Sequence, residues 1–151
     1  MSTEKHFFSP SAEETRRAGL EFGKTLSPGT LVCFRGDLGA GKTTFIQGVL
    51  TACGAALPFV SPTFVLMKEY CLVQSTESGI WRVYHADAYR METAEDFEKI
   101  GFSEWCADRD GVVLLEWPGR VESLLPENRI EIQLNLEEGK EETRSISIRV
   151  L

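Results

Sequence analysis

Positive charge is in short supply in this chain. It carries 16 Lys and Arg against 23 Asp and Glu, a formal net charge of −7 over 151 residues. A stand-alone nucleic-acid binder draws most of its affinity from phosphate contacts and normally shows a basic face. The acidic balance therefore argues against DNA or RNA as the main direct ligand. Histidine is scarcer still, at two residues, and the four cysteines (Cys33, Cys53, Cys71, Cys106) stand far apart with no CxxC. Zinc sites want ligands at close spacing, so these thiols read as small, reduced core residues of a cytosolic protein. The longest strongly apolar run is GVVLLEW, from Gly111, far short of the ~20 residues of a membrane span. The opening MSTEKHFFSP has no apolar signal segment, so a cytoplasmic location is expected. Internal repeats and low-complexity tracts are lacking too. The length and ordinary globular composition suit one domain, residues 1–151, with little chain to spare for a lid.

What is present alternates between strand and helix signals. KHFF (5–8) reads as a short edge strand. Ser11-Ala-Glu-Glu14 is a capping box that opens a helix to about Leu26, before Ser27-Pro28-Gly29 breaks it. Thr30–Arg35 is a continuous apolar run, the mark of a strand buried on both faces. A glycine-rich turn follows, then a helical pattern that Gly54 is placed to stop. The segments from Phe59 to Val73 and from Trp81 to His85 look extended. Thr93-Ala-Glu-Asp96 starts another helix, VVLLE (112–116) is a second buried strand, and Arg120–Leu125 has room for one or two helical turns. In the tail, Ile130, Ile132, Leu134 and Leu136 share one face of a period-two run, and Ile146, Ile148 and Val150 share one in the next. Together these imply a parallel or mixed α/β sheet with a C-terminal β-hairpin adding antiparallel strands at one edge.

The turn itself, Gly36-Asp37-Leu38-Gly39-Ala40-Gly41-Lys42-Thr43, matches G-x-x-x-x-G-K-[ST] completely. Glycines let successive amides turn toward phosphate oxygens, and the next helix points its positive end at the same anion. Lys42 would reach the β and γ phosphates, and the Thr43 hydroxyl would ligate Mg²⁺. Such a loop needs a carboxylate at the end of a neighbouring buried strand. Val112–Glu116 supplies one in Glu116. His85-Ala-Asp87-Ala-Tyr89-Arg90 supplies a second in Asp87, and either acid could hold the metal or orient the attacking water. His85 reads as a packed or hydrogen-bonded histidine rather than a general base. Arg90 fits either a transferred phosphate or a surface ion pair. Thr63, in Ser61-Pro62-Thr63-Phe64, sits where several such enzymes sense the γ-phosphate, and Trp117 follows Glu116 directly. No Asn/Thr-Lys-x-Asp run is present to read guanine, which favours ATP over GTP.

The set GDLGAGKTTF, SPTF, HADAYR, IGFSEW and LEWPGR, with its order and spacing, resembles the TsaE (formerly YjeE) family over about residues 7–126. The resemblance implies a compact, three-layer, P-loop NTPase-like α/β fold with a mixed central sheet. It implies a weak Mg²⁺-dependent ATPase of tRNA threonylcarbamoyladenosine (t6A) biosynthesis. Such a protein acts with the TsaD and TsaB proteins, meets tRNA only indirectly through them, and drives turnover rather than the transfer chemistry. DNA and membranes are not expected partners. Gly36 to Thr44 would bind phosphates, Thr43 with Glu116 would hold magnesium, and Lys42, Asp87 and Glu116 would serve catalysis. Thr63 would lie in a switch-like loop and Trp117 near the nucleotide. A nucleotide-sensing module without useful catalysis and a small-metabolite kinase are the rival readings.

Overall fold

The computed structural model describes residues 3–151; Met1 and Ser2 lie outside the described residues. Seven strands form one mixed sheet in the order β1-β7-β6-β2-β5-β4-β3. They are β1 (Thr3–Ser9), β2 (Leu31–Arg35), β3 (Met67–Cys71), β4 (Arg82–Asp87), β5 (Gly111–Glu116), β6 (Ile130–Glu137) and β7 (Lys140–Val150). β6, β2, β5 and β4 run parallel to one another. β3, β7 and β1 attach antiparallel. The terminal hairpin thus joins the sheet through β6, parallel to β2, and the free edge beyond it belongs to β1. The N-terminal strand was expected at an edge; the hairpin was too, and it lies inside instead. A hairpin with an apolar face has more to bury beside β2 than at the rim.

Two helical layers cover the sheet. α1 (Ala12–Gly23) and α2 (Lys42–Cys53) lie on one face. α3 (Ala94–Lys99), α4 (Phe102–Ala107) and a 3₁₀ segment (Pro118–Leu124) lie on the other. Strand alternation sorts the core. Val32, Phe34, Val83, Val112 and Leu114 point to the α1/α2 side. Leu31, Cys33, Tyr84, Val113 and Leu115 pack with Phe97, Phe102 and Trp105 on the other. α1 and α2 pack backbone to backbone, since a Cβ at Gly48 would strike the Arg16 carbonyl.

Local signals explain most boundaries. The Ser11 Oγ accepts from the Glu14 amide at 3.1 Å, as a cap should. Glu14 does not reach back to close the box; its carboxylate faces Arg17 at 3.6 Å instead. α1 also stops at Gly23, short of Leu26. There the Thr25 hydroxyl donates to the Phe22 carbonyl, and the chain turns to bury Leu26. The expected helix from Thr93 is two short helices parted at Gly101, whose φ of 117° is left-handed. The expected extended run from Phe59 to Val73 is mostly turns through residue 66, and only Met67–Cys71 is strand. Proline and a left-handed Leu66 interrupt it. Of the cysteines, Cys33 and Cys53 are core residues as expected, Cys106 is half-buried, and Cys71 is exposed on the edge strand β3. No helix among the described residues is long and apolar enough to cross a membrane.

Candidate functional site

The C-terminal ends of the parallel strands make the site, where open α/β sheets leave a crevice. Residues two apart on a strand share a face, so His85 and Asp87 project to the α2 side with Val83, and Glu116 with Leu114. Pairing register then sets Asp87 beside Glu116, and Glu116 beside Phe34 at the end of β2. The chain leaves β2 into the glycine loop directly in front of these two acids.

That loop is shaped by backbone that only glycine adopts easily. Gly36, Gly39 and Gly41 have φ of 144°, 79° and 101°. At Gly36 a side chain would also collide with the Leu134 carbonyl of β6. Gly41 is the N-cap of α2, and no side chain caps the helix start. α1 contrasts, with its first turn capped by Ser11. The exposed amides of α2 and its dipole are thus left facing the crevice, an arrangement that takes an anion.

A cavity of about 290 Å³ lies in front of the loop. Asp37, Leu38, Gly39, Ala40 and Gly41 line one side, with Lys42, Thr43 and Thr44 at the helix start. Thr63, Asp87, Glu116 and Trp117 form the facing wall. The expected site residues therefore converge, except that Gly36 sits at the loop's root, outside this lining, where its carbonyl accepts from the Lys42 ammonium. Lys42 also donates to the Asp37 carbonyl at 3.3 Å and lies 3.9 Å from the centroid of the Trp117 ring. Burial pulls the Lys42 pKa down, against the opposing pull of Glu116, Asp87 and Asp37.

Both acids are buried, at 3% exposure for Asp87 and 5% for Glu116. Asp87 accepts from the Tyr89 amide at 2.8 Å and from the Thr63 hydroxyl at 3.3 Å. Its pKa is raised, first by burial and then by the like charge of Glu116, although both hydrogen bonds oppose the rise. Glu116 Oε2 is 2.8 Å from His85 Nε2. Two buried carboxylates against one buried ammonium leave a local surplus of negative charge. Buried charges need pairing or a metal, and these oxygens beside the Thr43 hydroxyl are ligands a hard divalent cation accepts.

Trp117 holds a left-handed φ of 58°, costly for a bulky residue and found mostly where geometry is functional. Its ring meets Tyr89 at 4.9 Å between centroids. Tyr89 and Arg144 also line the cavity, and the sequence reading did not assign either to the site. Tyr89 lies two residues past Asp87, close enough for the motif to have suggested it. Arg144 had no local signal: it comes from β7 and donates to the Gly39 carbonyl at 3.3 Å and the Glu141 carbonyl at 2.9 Å. Arg90 forms no ion pair among the described residues; its guanidinium lies 4.3 Å from the centroid of the exposed Phe64 ring.

Comparison with known proteins agrees with this architecture. The family model described as "Threonylcarbamoyl adenosine biosynthesis protein TsaE" matches residues 9–146. A protein of Treponema pallidum (strain Nichols) named tRNA threonylcarbamoyladenosine biosynthesis protein TsaE is 39% identical over 128 residues, 85% of this chain and 89% of that one. A protein of the same name from Bacillus subtilis (strain 168) is 38% identical over 120 residues, 80% of this chain and 70% of that one. The crystal structure of Bacillus subtilis YdiB superposes with a TM-score of 0.77 at 29% identity, covering 99% of this chain and 87% of that one. Matching in sequence over most of its length and in fold over nearly all of it, the chain belongs to the TsaE family.

Proposed function

We propose that this protein is the ATP-binding and ATP-hydrolysing member of a t6A-forming complex, driving its turnover without carrying out the transfer chemistry. The observation that carries the reading is the uncapped start of α2 behind a three-glycine loop, facing two buried carboxylates across one cavity. That loop would hold the triphosphate. Unpaired amides of the loop and of the start of α2 would take its oxygens, and the Lys42 ammonium would turn from the Gly36 carbonyl to the phosphates. Arg144 adds positive charge at the rim. Mg²⁺, when bound, neutralises charge developing on the phosphates. Thr43 and Glu116 would hold it, while Asp87, fixed by Thr63 and the Tyr89 amide, would orient water. Trp117 and Tyr89 wall the nucleotide.

The cavity is open and supplies few groups to settle the attacking water, so hydrolysis by the isolated protein is slow. TsaD and TsaB are the partners that complete the site, and tRNA meets the complex through them, in keeping with the acidic surface. The test is phosphate release with Mg-ATP, alone and after pull-down with TsaB–TsaD, with and without tRNA. Weak release alone that rises on association supports the reading. No association removes the pathway role. Phosphorylated small molecules in place of free phosphate would turn the reading to a kinase.

A further inference from the structure

The ATPase reading leaves one buried group of the site without a task. His85 is 3% exposed, as deeply buried as the acids it adjoins. Its Nε2 lies 2.8 Å from Oε2 of Glu116, and its Nδ1 has no hydrogen-bond partner among the described residues. The ring also lines a second cavity of about 110 Å³, with the polar side chains of Thr43, Gln47 and Ser61 on its walls.

These contacts assign the ring's proton. An ionised carboxylate only accepts, so the Nε2 proton faces Glu116. A ring that carries its proton on Nε2 therefore donates to Oε2 of Glu116. No other protein donor reaches the Glu116 carboxylate among the described residues.

We propose that His85 is a positioning residue: its Nε2–H fixes Oε2 of Glu116, so that the carboxylate presents Oε1 to the nucleotide cavity in one orientation. The proposal rests on the reading of Glu116 as the magnesium carboxylate. A ligand held by a neighbour's hydrogen bond binds its metal without first being ordered. Strand pairing gives the arrangement its rigidity. His85 pairs with Leu114, Glu116 lies two residues further along β5, and both side chains rise from backbone locked in the centre of the sheet.

Two isosteres separate positioning from mere burial of a polar ring. Gln places an amide N–H near the former Nε2, and Asn places one near Nδ1. Long-range ¹H–¹⁵N spectra of the full chain should show His85 as the Nε2–H tautomer; with only two histidines, a His6→Gln variant assigns the signals. Electron paramagnetic resonance of Mn²⁺ in the presence of ADP reads metal affinity without turnover. His85→Asn should weaken Mn²⁺ binding by roughly 10- to 100-fold, the usual cost of losing a ligand's hydrogen-bonded support. Metal-free ADP affinity should hold, and His85→Gln should recover most of the Mn²⁺ loss. An Nδ1–H tautomer overturns the proposal. So do equal Mn²⁺ affinities in the two variants, each confirmed folded by thermal melting. Failure of the unsubstituted protein to bind ADP overturns the ATPase reading instead.

Discussion

The two halves of the sheet differ in what covers them. β5 and nearly all of β4 are buried along their length, with helices on both faces. The wing of β6, β7 and β1 has helices on one face only. Its open face carries Arg129, Glu131 and Arg149, and Arg35 of β2 bridges to it through Glu131 at 2.6 Å. The parallel centre can hold Asp87 and Glu116 dry and in register. The wing keeps its open-face charges paired with one another, as Glu131 is with Arg35 and Arg129, and it contributes differently. Its Leu134 carbonyl backs the loop at Gly36, and Arg144 reaches over the loop from outside. The centre thus supplies buried chemistry and the wing supplies support and rim charge.

If that division holds, substitutions in the centre cost the most. Lys42→Ala should lower phosphate release by roughly 100-fold or more, the scale of losing one preorganised charge at a reacting phosphate. A release assay checks it, and activity near that of the unsubstituted protein would remove Lys42 from the site. Glu116→Gln should follow closely but split its effect. Hydrolysis falls by roughly 100-fold on the same argument, whereas metal-free nucleotide affinity barely changes. Titration calorimetry without magnesium, beside the release assay, separates the two. Equal losses in binding and turnover would assign Glu116 to nucleotide binding rather than to metal and water.

The same contrast explains what could be read from the sequence. In the centre each element carried its own signal: apolar runs for the strands, glycines and Lys42 for the loop, and acids at the strand ends. Fully buried parallel strands leave little freedom, so local pattern and final position agreed. The wing was legible as a hairpin through its period-two alternation, yet not in its placement. Pairing of β6 with β2 joins residues about a hundred apart, and no local pattern specifies which edge a hairpin takes. Arg144 was invisible for that reason, since a lone arginine on an alternating strand looks solvated. The segment before β3 misled because its apolar residues suggest a strand. Val60, Phe64 and Val65 are in fact exposed, the last two on a turn that includes Pro62.

Arg144→Ala sharpens the comparison with a smaller effect. The side chain bonds only backbone carbonyls and has no carboxylate partner among the described residues, so its charge is free for an anion. One charge-assisted hydrogen bond lost at a partly exposed rim weakens nucleotide affinity by about tenfold. Turnover at saturating ATP should stay near that of the unsubstituted protein, because in the proposed site Lys42 and the two acids hold the reacting end. Affinity and maximal rate measured on one preparation decide it. A rate loss matching that of Lys42→Ala would place the wing inside the reaction and end the division between the halves.

The smallest effect concerns stability, and its sign is opposite. Burial raises the Asp87 pKa in the folded protein. The folded state therefore holds that proton more tightly than the unfolded chain, so ionised Asp87 opposes folding above its folded pKa. The penalty fades as pH falls through that value. Asp87→Asn removes the charge; its Oδ1 still accepts from the Tyr89 amide, and its Nδ2 donates to the Thr63 hydroxyl. Without metal at neutral pH it should melt higher, by about 2–4 °C if the relief is near 1 kcal/mol. The gap should close in acid, where Asp87 of the unsubstituted protein is neutral too. Added Mg²⁺ with nucleotide should stabilise the unsubstituted protein more than the variant, because only the former sets a second negative charge near the cation. A variant that melts lower at every pH would mean that the Asp87 charge contributes to folding, and that its burial is structural rather than a cost held for the ligand.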